Sequence, residues 1–258
     1  RRVSQAPPET PPNDIMARYK FPEPTLKLPQ SALISDGRIE ESSVNELSEA
    51  AKPASLAAPS ILKARRISLH EAEYIEKLPK NERNEQIKQL ITTLGKKHAV
   101  DPALSLAVAS AESSFNPNAV SSDGYNSKGL FQLLDSTGKD MANRLDVKAA
   151  YNPFNPSQNA ELGVGYLRYL HDIFSEETEL PNKMHTTPAA NSSSLEKLAV
   201  AAFNAGEGRV ASAQTRAKAA GGNPGSYDDI RSYLPDITQQ YVDKVMASRG
   251  AFESRIID

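Results

Sequence analysis

The stretch "VDPALSLAVASAESSF", residues 100–115, decides how the chain is to be read. Asp101 followed by Pro102 is a helix-opening pair: a carboxylate to cap, then a residue whose fixed φ suits the first helical position. Leu104, Ala107, Val108 and Ala111 recur at helical spacing and define an apolar face. Asn116-Pro117 closes the helix, because the residue before proline is pushed out of the α region. At roughly 100° per residue, Glu112 falls about 80° round from Leu104, on the shoulder of the apolar stripe. A carboxyl group held against apolar neighbours loses hydration when charged, so its pKa rises. It can then hand a proton to a leaving oxygen near neutral pH. Taken alone, Glu112 reads more readily as a solvated residue in a last helical turn.

The same periodic signals continue on both sides. Ser68 and Glu71 have capping-box spacing and predict a helix over roughly 69–78. Ile87, Leu90, Ile91 and Leu94 predict a second over about 84–97. Further helices are expected over about 136–145 and 157–174, the latter with Leu162, Tyr166, Leu167, Leu170 and Phe174 on one face. Ser193 and Glu196 match a capping box for a helix through "LEKLAVAAFNAG", stopped by Gly206 and Gly208. "YDDIRSYL" reads as a short helix, and "PDITQQYVDKVMASRG" as a last one ending at Gly250. Residues 118–130, rich in Ser, Asn and Gly, read as a loop or a small β-hairpin, and 175–193 as a polar insert. The expected class is mostly α: eight helices with almost no strand signal.

Composition bounds the rest. A chain of 258 residues allows one sizeable domain plus a tail, and half of its 18 prolines lie within residues 1–60. That segment buries too little apolar surface to offset its ordering entropy, so 1–66 is expected to be a flexible Pro-rich tether and 67–258 the folded domain. The net charge of −2 gives no hint of a polyanion-binding surface, and no nucleic-acid partner is expected. The absence of Cys rules out thiolate metal sites and cysteine nucleophiles, and the four His show no ligand spacing, so no metal and no cofactor is expected. No apolar run approaches the length a membrane span needs.

Five motifs in register carry a resemblance. Glu112-Ser113-Ser114-Phe115, Ala119 to Gly124, Gly129 to Thr137 in "GLFQLLDST", Ala202 to Gly206 in "AFNAG" and Leu234 to Val242 in "LPDITQQYV" stand in the order of the soluble lytic transglycosylase catalytic domain, the SLT-type, lysozyme-like family. Asn159, Gly163, Tyr166 and Leu167 resemble that family's intervening N-x-x-x-G-x-x-Y-L helix. The resemblance covers about residues 84 to 246. It implies a lysozyme-like helical domain with at most a small β-hairpin beside a cleft. It also implies cleavage of the β-1,4 bond between N-acetylmuramic acid and N-acetylglucosamine in peptidoglycan glycan strands, leaving 1,6-anhydro ends, in the periplasm or cell envelope. Under it the N-terminal segment is a place for an envelope protein partner.

Carried over by position, the resemblance makes Glu112 the sole acid and base. Ser121 would bond the sugar, Gln132 and Asn204 would line the cleft with amides, and the Gly129-Leu130-Phe131 backbone would form a wall. Phe203 would lie beside the cleft, and Tyr241 would face the carboxylate or the adjacent sugar. Each has a structural alternative: a turn for Ser121, a loop tie for Gln132, a helix end for Asn204, and core packing for Leu130, Phe131, Phe203 and Tyr241. Phe203 stands where the family usually has Tyr, removing one hydroxyl that could bond the acid, and Ile237 replaces an acidic residue. Glycoside cleavage usually needs two carboxylates; Asp123, Asp135 and Glu161 are eligible. Two rival functions share the residues: a goose-type-lysozyme-like muramidase using Asp123 to position water, and an inactive wall-binding or assembly module.

Overall fold

The structure, a computed structural model, describes Ile75 and residues 77–256. Most of the helix expected at 69–78 and all of the 1–66 segment lie outside the described residues. Among the described residues eight α-helices follow one another: α1 (Lys80–Lys97), α2 (Pro102–Ser113), α3 (Asp135–Arg144), α4 (Pro156–Ser175), α5 (Ser192–Ala205), α6 (Glu207–Ala219), α7 (Tyr227–Ile230) and α8 (Asp236–Ile256), with a 3₁₀ turn at Arg231–Tyr233. Among the described residues the β content is limited to isolated bridges, Val120 with Lys128, Lys128 with Leu133 and Glu179 with His185. None of the described helices is long and apolar enough to cross a membrane.

The helix starts follow from the caps. Asp101 accepts the Ala103 N–H at 2.9 Å with Pro102 at the first helical position. Asn155 does the same for α4 through the Gln158 N–H, again ahead of a proline. For α5 the cap is Asn191, which accepts from Ser194 N–H at 2.8 Å, not Ser193 as the capping-box spacing suggested. Asn is at least as good a cap as Ser, and using it adds two residues to the helix.

Two other expectations are corrected. Gly208 does not end the α5 region; Gly206, at φ 86°, makes the break, and α6 starts at once with Gly208 in its first turn. The alanine-rich "VASAQTRAKA" that follows is strongly helix-forming and buries Val210, Ala211, Ala213, Gln214 and Ala217. Likewise α8 runs through Gly250 to Ile256. Phe252, beyond that glycine, meets Phe115 edge to face at 6.1 Å between ring centres, and this packing outweighs the roughly 1 kcal/mol that a helical glycine costs.

The core is continuous. α2, whose face from Ala103 to Ala109 is buried, packs between α1 and α8; α4 packs against α1, α3 and α5, and α5 against α6 and α8. Ile87, Ile91, Leu104, Leu162, Leu167, Leu170, Leu198 and Ile230 are fully enclosed. The insert over 175–193 is pinned to α6 and to the end of α4. Thr187 and Gln214 exchange two hydrogen bonds of 2.9 and 2.7 Å, and Ala189 N–H donates to Phe174 C=O.

Candidate active site

Glu112 sits in the last turn of α2. Immediately after it, Ser114 and Phe115 both take left-handed backbone, φ 53° and 63°, so the chain swings sharply away from the helix axis. The turn is held from three directions. Ser113 Oγ donates to Leu130 C=O at 2.8 Å, Ser114 N–H closes on Ser110 C=O, and the Phe115 ring is buried against Phe252. The carboxyl group is thereby fixed at the end of a buried helix, on a residue that as a whole is half-buried.

Its direct partner comes from far along the chain. Tyr241, on α8, donates its hydroxyl to Glu112 Oε1 at 2.5 Å. Burial is the largest influence on Glu112 and pushes its pKa from 4.5 up to about 7, opposed by the Tyr241 hydrogen bond and the Lys244 charge. The tyrosine occupies Oε1 as acceptor, so Oε2 is the oxygen free to carry the exchangeable proton. Tyr241 itself, packed against the core beside a carboxylate, holds its proton well beyond the ordinary tyrosine range.

The loop facing α2 is built around one side chain. Asn159, buried on α4, accepts from Phe131 N–H at 2.8 Å and donates to Lys128 C=O and Pro153 C=O at 3.1 and 3.0 Å. Gly129 passes so close, at φ 77°, that a Cβ there would lie 2.2 Å from the Pro153 oxygen and 2.4 Å from Asn159 Nδ2. Leu130 and Phe131 are entirely buried, backbone included, with Leu130 C=O taken by Ser113 Oγ and Phe131 N–H by Asn159, so the structure places both in the core and not on a ligand-facing wall. Gln132 spends its Nε2 on Ala119 C=O and Gly129 C=O, at 3.1 and 2.9 Å, from a positive φ of 45°. Ser121 donates to Asp123 Oδ1 at 2.7 Å and accepts Ser127 N–H, which ties it into its own loop.

Asn204 Oδ1 accepts from Thr238 Oγ1 at 2.9 Å, joining the end of α5 to α8 one turn before Tyr241. Phe203 is half-buried between the rings of Tyr166 at 5.3 Å and Phe131 at 6.3 Å. The hydroxyl bonded to Glu112 comes from Tyr241.

The three carboxylates eligible as a second catalytic group are engaged elsewhere. Asp123 accepts from Ser121 and from Tyr125 N–H, and Asp135 pairs with Lys128 at 2.6 Å. Glu161 is held by Lys97 and His98, both at 2.7 Å. Burial alone would raise Glu161, but the His98 and Lys97 hydrogen bonds bring its pKa below the usual value. Among the described residues no cluster of three or more His, Asp or Glu is arranged to hold a metal ion. Two side chains that sequence reasoning did not single out belong to this neighbourhood. Thr238 is fully buried, and Lys244 sits one turn beyond Tyr241 with Nζ 3.3 Å from Ala111 C=O. Their spacing from Tyr241, minus three and plus three, was the available signal.

The membrane-bound lytic murein transglycosylase F of Alcanivorax borkumensis is 31% identical over 137 residues, 52% of this chain and 24% of the relative. The membrane-bound lytic murein transglycosylase C of Actinobacillus pleuropneumoniae is 33% identical over 133 residues, 50% of this chain and 33% of the relative. The chain therefore spans between a quarter and a third of the length of these relatives. Among solved structures, the 70 kDa soluble lytic transglycosylase of Escherichia coli superposes with a TM-score of 0.51 at 21% identity, covering 73% of this chain and 26% of that one. An inactive mutant of the Pseudomonas aeruginosa lytic transglycosylase Slt gives 0.51 at 23%, covering 65% and 24%. These likenesses are of fold, and they give the helical domain its lysozyme-like character. The family model described as the transglycosylase SLT domain matches residues 89–224, more than half of the chain, and the chain belongs to that family.

Proposed function

We propose that this domain is a peptidoglycan lytic transglycosylase working in the cell envelope, with Glu112 as its one acid and base. The observation that carries the reading is the setting of Glu112: a carboxyl at the end of a buried helix, bonded by the Tyr241 hydroxyl and raised by burial to a pKa of about 7. In the first step Oε2–H protonates the bridging oxygen on leaving N-acetylglucosamine as the bond to C1 of N-acetylmuramic acid breaks. Charge developing at C1 is met by the sugar's own acetamido oxygen. Glu112, now ionised, takes the proton of the C6 hydroxyl, whose oxygen bonds to C1 and closes the 1,6-anhydro ring. The proton lent in the first step is thereby returned, and no water enters.

A single group can suffice because the attacking hydroxyl belongs to the same sugar, which replaces an encounter by a ring closure. A midpoint near 7 serves both halves, since the group must give a proton and then accept one. Asp123, the residue a hydrolytic rival would use to hold water, has Oδ1 committed to its own loop. Within this reading the segment before residue 67 is where an envelope partner would attach.

The test is mass spectrometry of sacculi digested by the domain. Anhydro ends are expected, and Glu112→Gln should release nothing while keeping its circular dichroism. Reducing ends would move the protein to the hydrolases, and equal release by wild type and variant would end the enzymatic reading.

A further inference from the structure

We propose that Lys244 is a positioning residue of this site, closing the carbonyl end of α2 at Ala111 and holding a positive charge beside Glu112. The proposal rests on Glu112 acting as the acid. The last four carbonyls of a helix have no partner inside it, and a cation there is favoured by the aligned peptide dipoles. At the end of α2, Ser110 C=O is used by Ser114 N–H, and Ala111 C=O, one residue before the acid, receives the Lys244 ammonium at 3.3 Å. Lys244 follows Tyr241 by three residues, so both project from one face of α8. One helix thus delivers a hydroxyl to the carboxylate and a charge to the peptide that bears it.

Three other charged groups of α2 and of the helices packed on it have partners of their own. On α1, Lys88 pairs with Glu85 at 2.7 Å and lies over the Phe115 ring. At the opposite end of α2, Asp101 binds Arg249 at 2.6 Å. On α8, Asp243 is gripped by Arg231 through both carboxylate oxygens. Tyr241 and Lys244 are the groups that act on Glu112, and both oppose the effect of burial. Without the lysine, the acid would hold its proton more tightly and would be less stable as the anion that the second half-reaction needs. Lys244 is exposed, so its influence is open to screening by salt.

The experiment is a carbon-13 NMR titration of the Glu112 carboxyl in wild type, Lys244→Met, Lys244→Gln and Lys244→Arg, at low and high salt, with Glu112→Gln assigning the signal. The midpoint should move to higher pH in the Met and Gln variants and stay at the wild-type position in the Arg variant. The displacement should shrink as salt is added, and the descending limb of the kcat/KM profile should move with it. A low-salt midpoint unchanged in either neutral variant that keeps its fold overturns the proposal, as does an Arg variant that moves with them. A cap without electrical influence would lower thermal stability and leave the midpoint alone. The titration reads a carboxyl group and not a product, so it holds even if digestion yields reducing ends, whereas an active Glu112→Gln would sink the functional reading by itself.

Discussion

Glu112→Gln should make the domain more stable, and only on one side of neutrality. The native carboxyl titrates at about 7 against an ordinary 4.5. A raised carboxyl pKa means that the folded state binds the proton more tightly than the unfolded chain. Its contribution is complete below pH 4.5 and drains away as pH climbs, reaching its full loss above 7. The gap, at about 1.4 kcal/mol per pH unit, is worth about 3 kcal/mol. Partial exposure of the residue trims this toward about 2 kcal/mol. Glutamine is neutral at every pH, keeps an oxygen for the Tyr241 hydroxyl and nearly the same shape. The variant should therefore match wild type below pH 4.5 and exceed it by about 2–3 kcal/mol above pH 7. At roughly 2–4 °C per kcal/mol, that is a Tm gain of about 5 °C or more. The assay is urea and thermal unfolding of both proteins across that range, read as a difference. Glu196 and Glu207, also raised, and His171, lowered, are present in both proteins and cancel. A difference that stays flat with pH would refute the reasoning, because Glu112 would then be an ordinary surface acid.

Tyr241→Phe removes a hydrogen bond that favours the ionised acid, so the descending limb of kcat/KM should move to higher pH. Loss of orientation should lower kcat by on the order of tenfold, seen in steady-state turnover of glycan fragments. Asn159→Ala strips three hydrogen bonds from loop backbone and should cost on the order of 3 kcal/mol in denaturant titration. Gly129→Ala combines a positive φ with a clash against backbone and should cost a similar amount or prevent folding, read by circular dichroism.

The helices that the sequence announced are those whose apolar spacing and caps agree, α1, α2 and α4 above all. What escaped was packing at a distance. Gly208 and Gly250 read as stops because glycine usually ends helices, yet alanine-rich burial after the first and the Phe252 contact after the second carry the helix onward. Asn191 was passed over because a Ser–Glu pair at box spacing competed with it. At the site, Glu112 was legible from its angle on the stripe, a purely local property. The uses of Gln132, Ser121 and Asn204 were not, since an amide or hydroxyl gives no sign in sequence of which backbone or side chain it will meet. Lys244 was invisible for the same reason: its partner is a carbonyl 133 positions away.

The bond from Tyr241 to Glu112 joins residues 129 apart in the chain. Local contacts form early, and a chain growing on the ribosome folds from its N-terminal end. The helix bearing the acid is therefore made well before the helix that completes it. Until the last long segment docks, the carboxyl has neither its hydroxyl partner nor the shielding that keeps it protonated. A half-made molecule is in this sense unarmed: it carries the blade but not the edge, and cutting power arrives only with the final act of assembly.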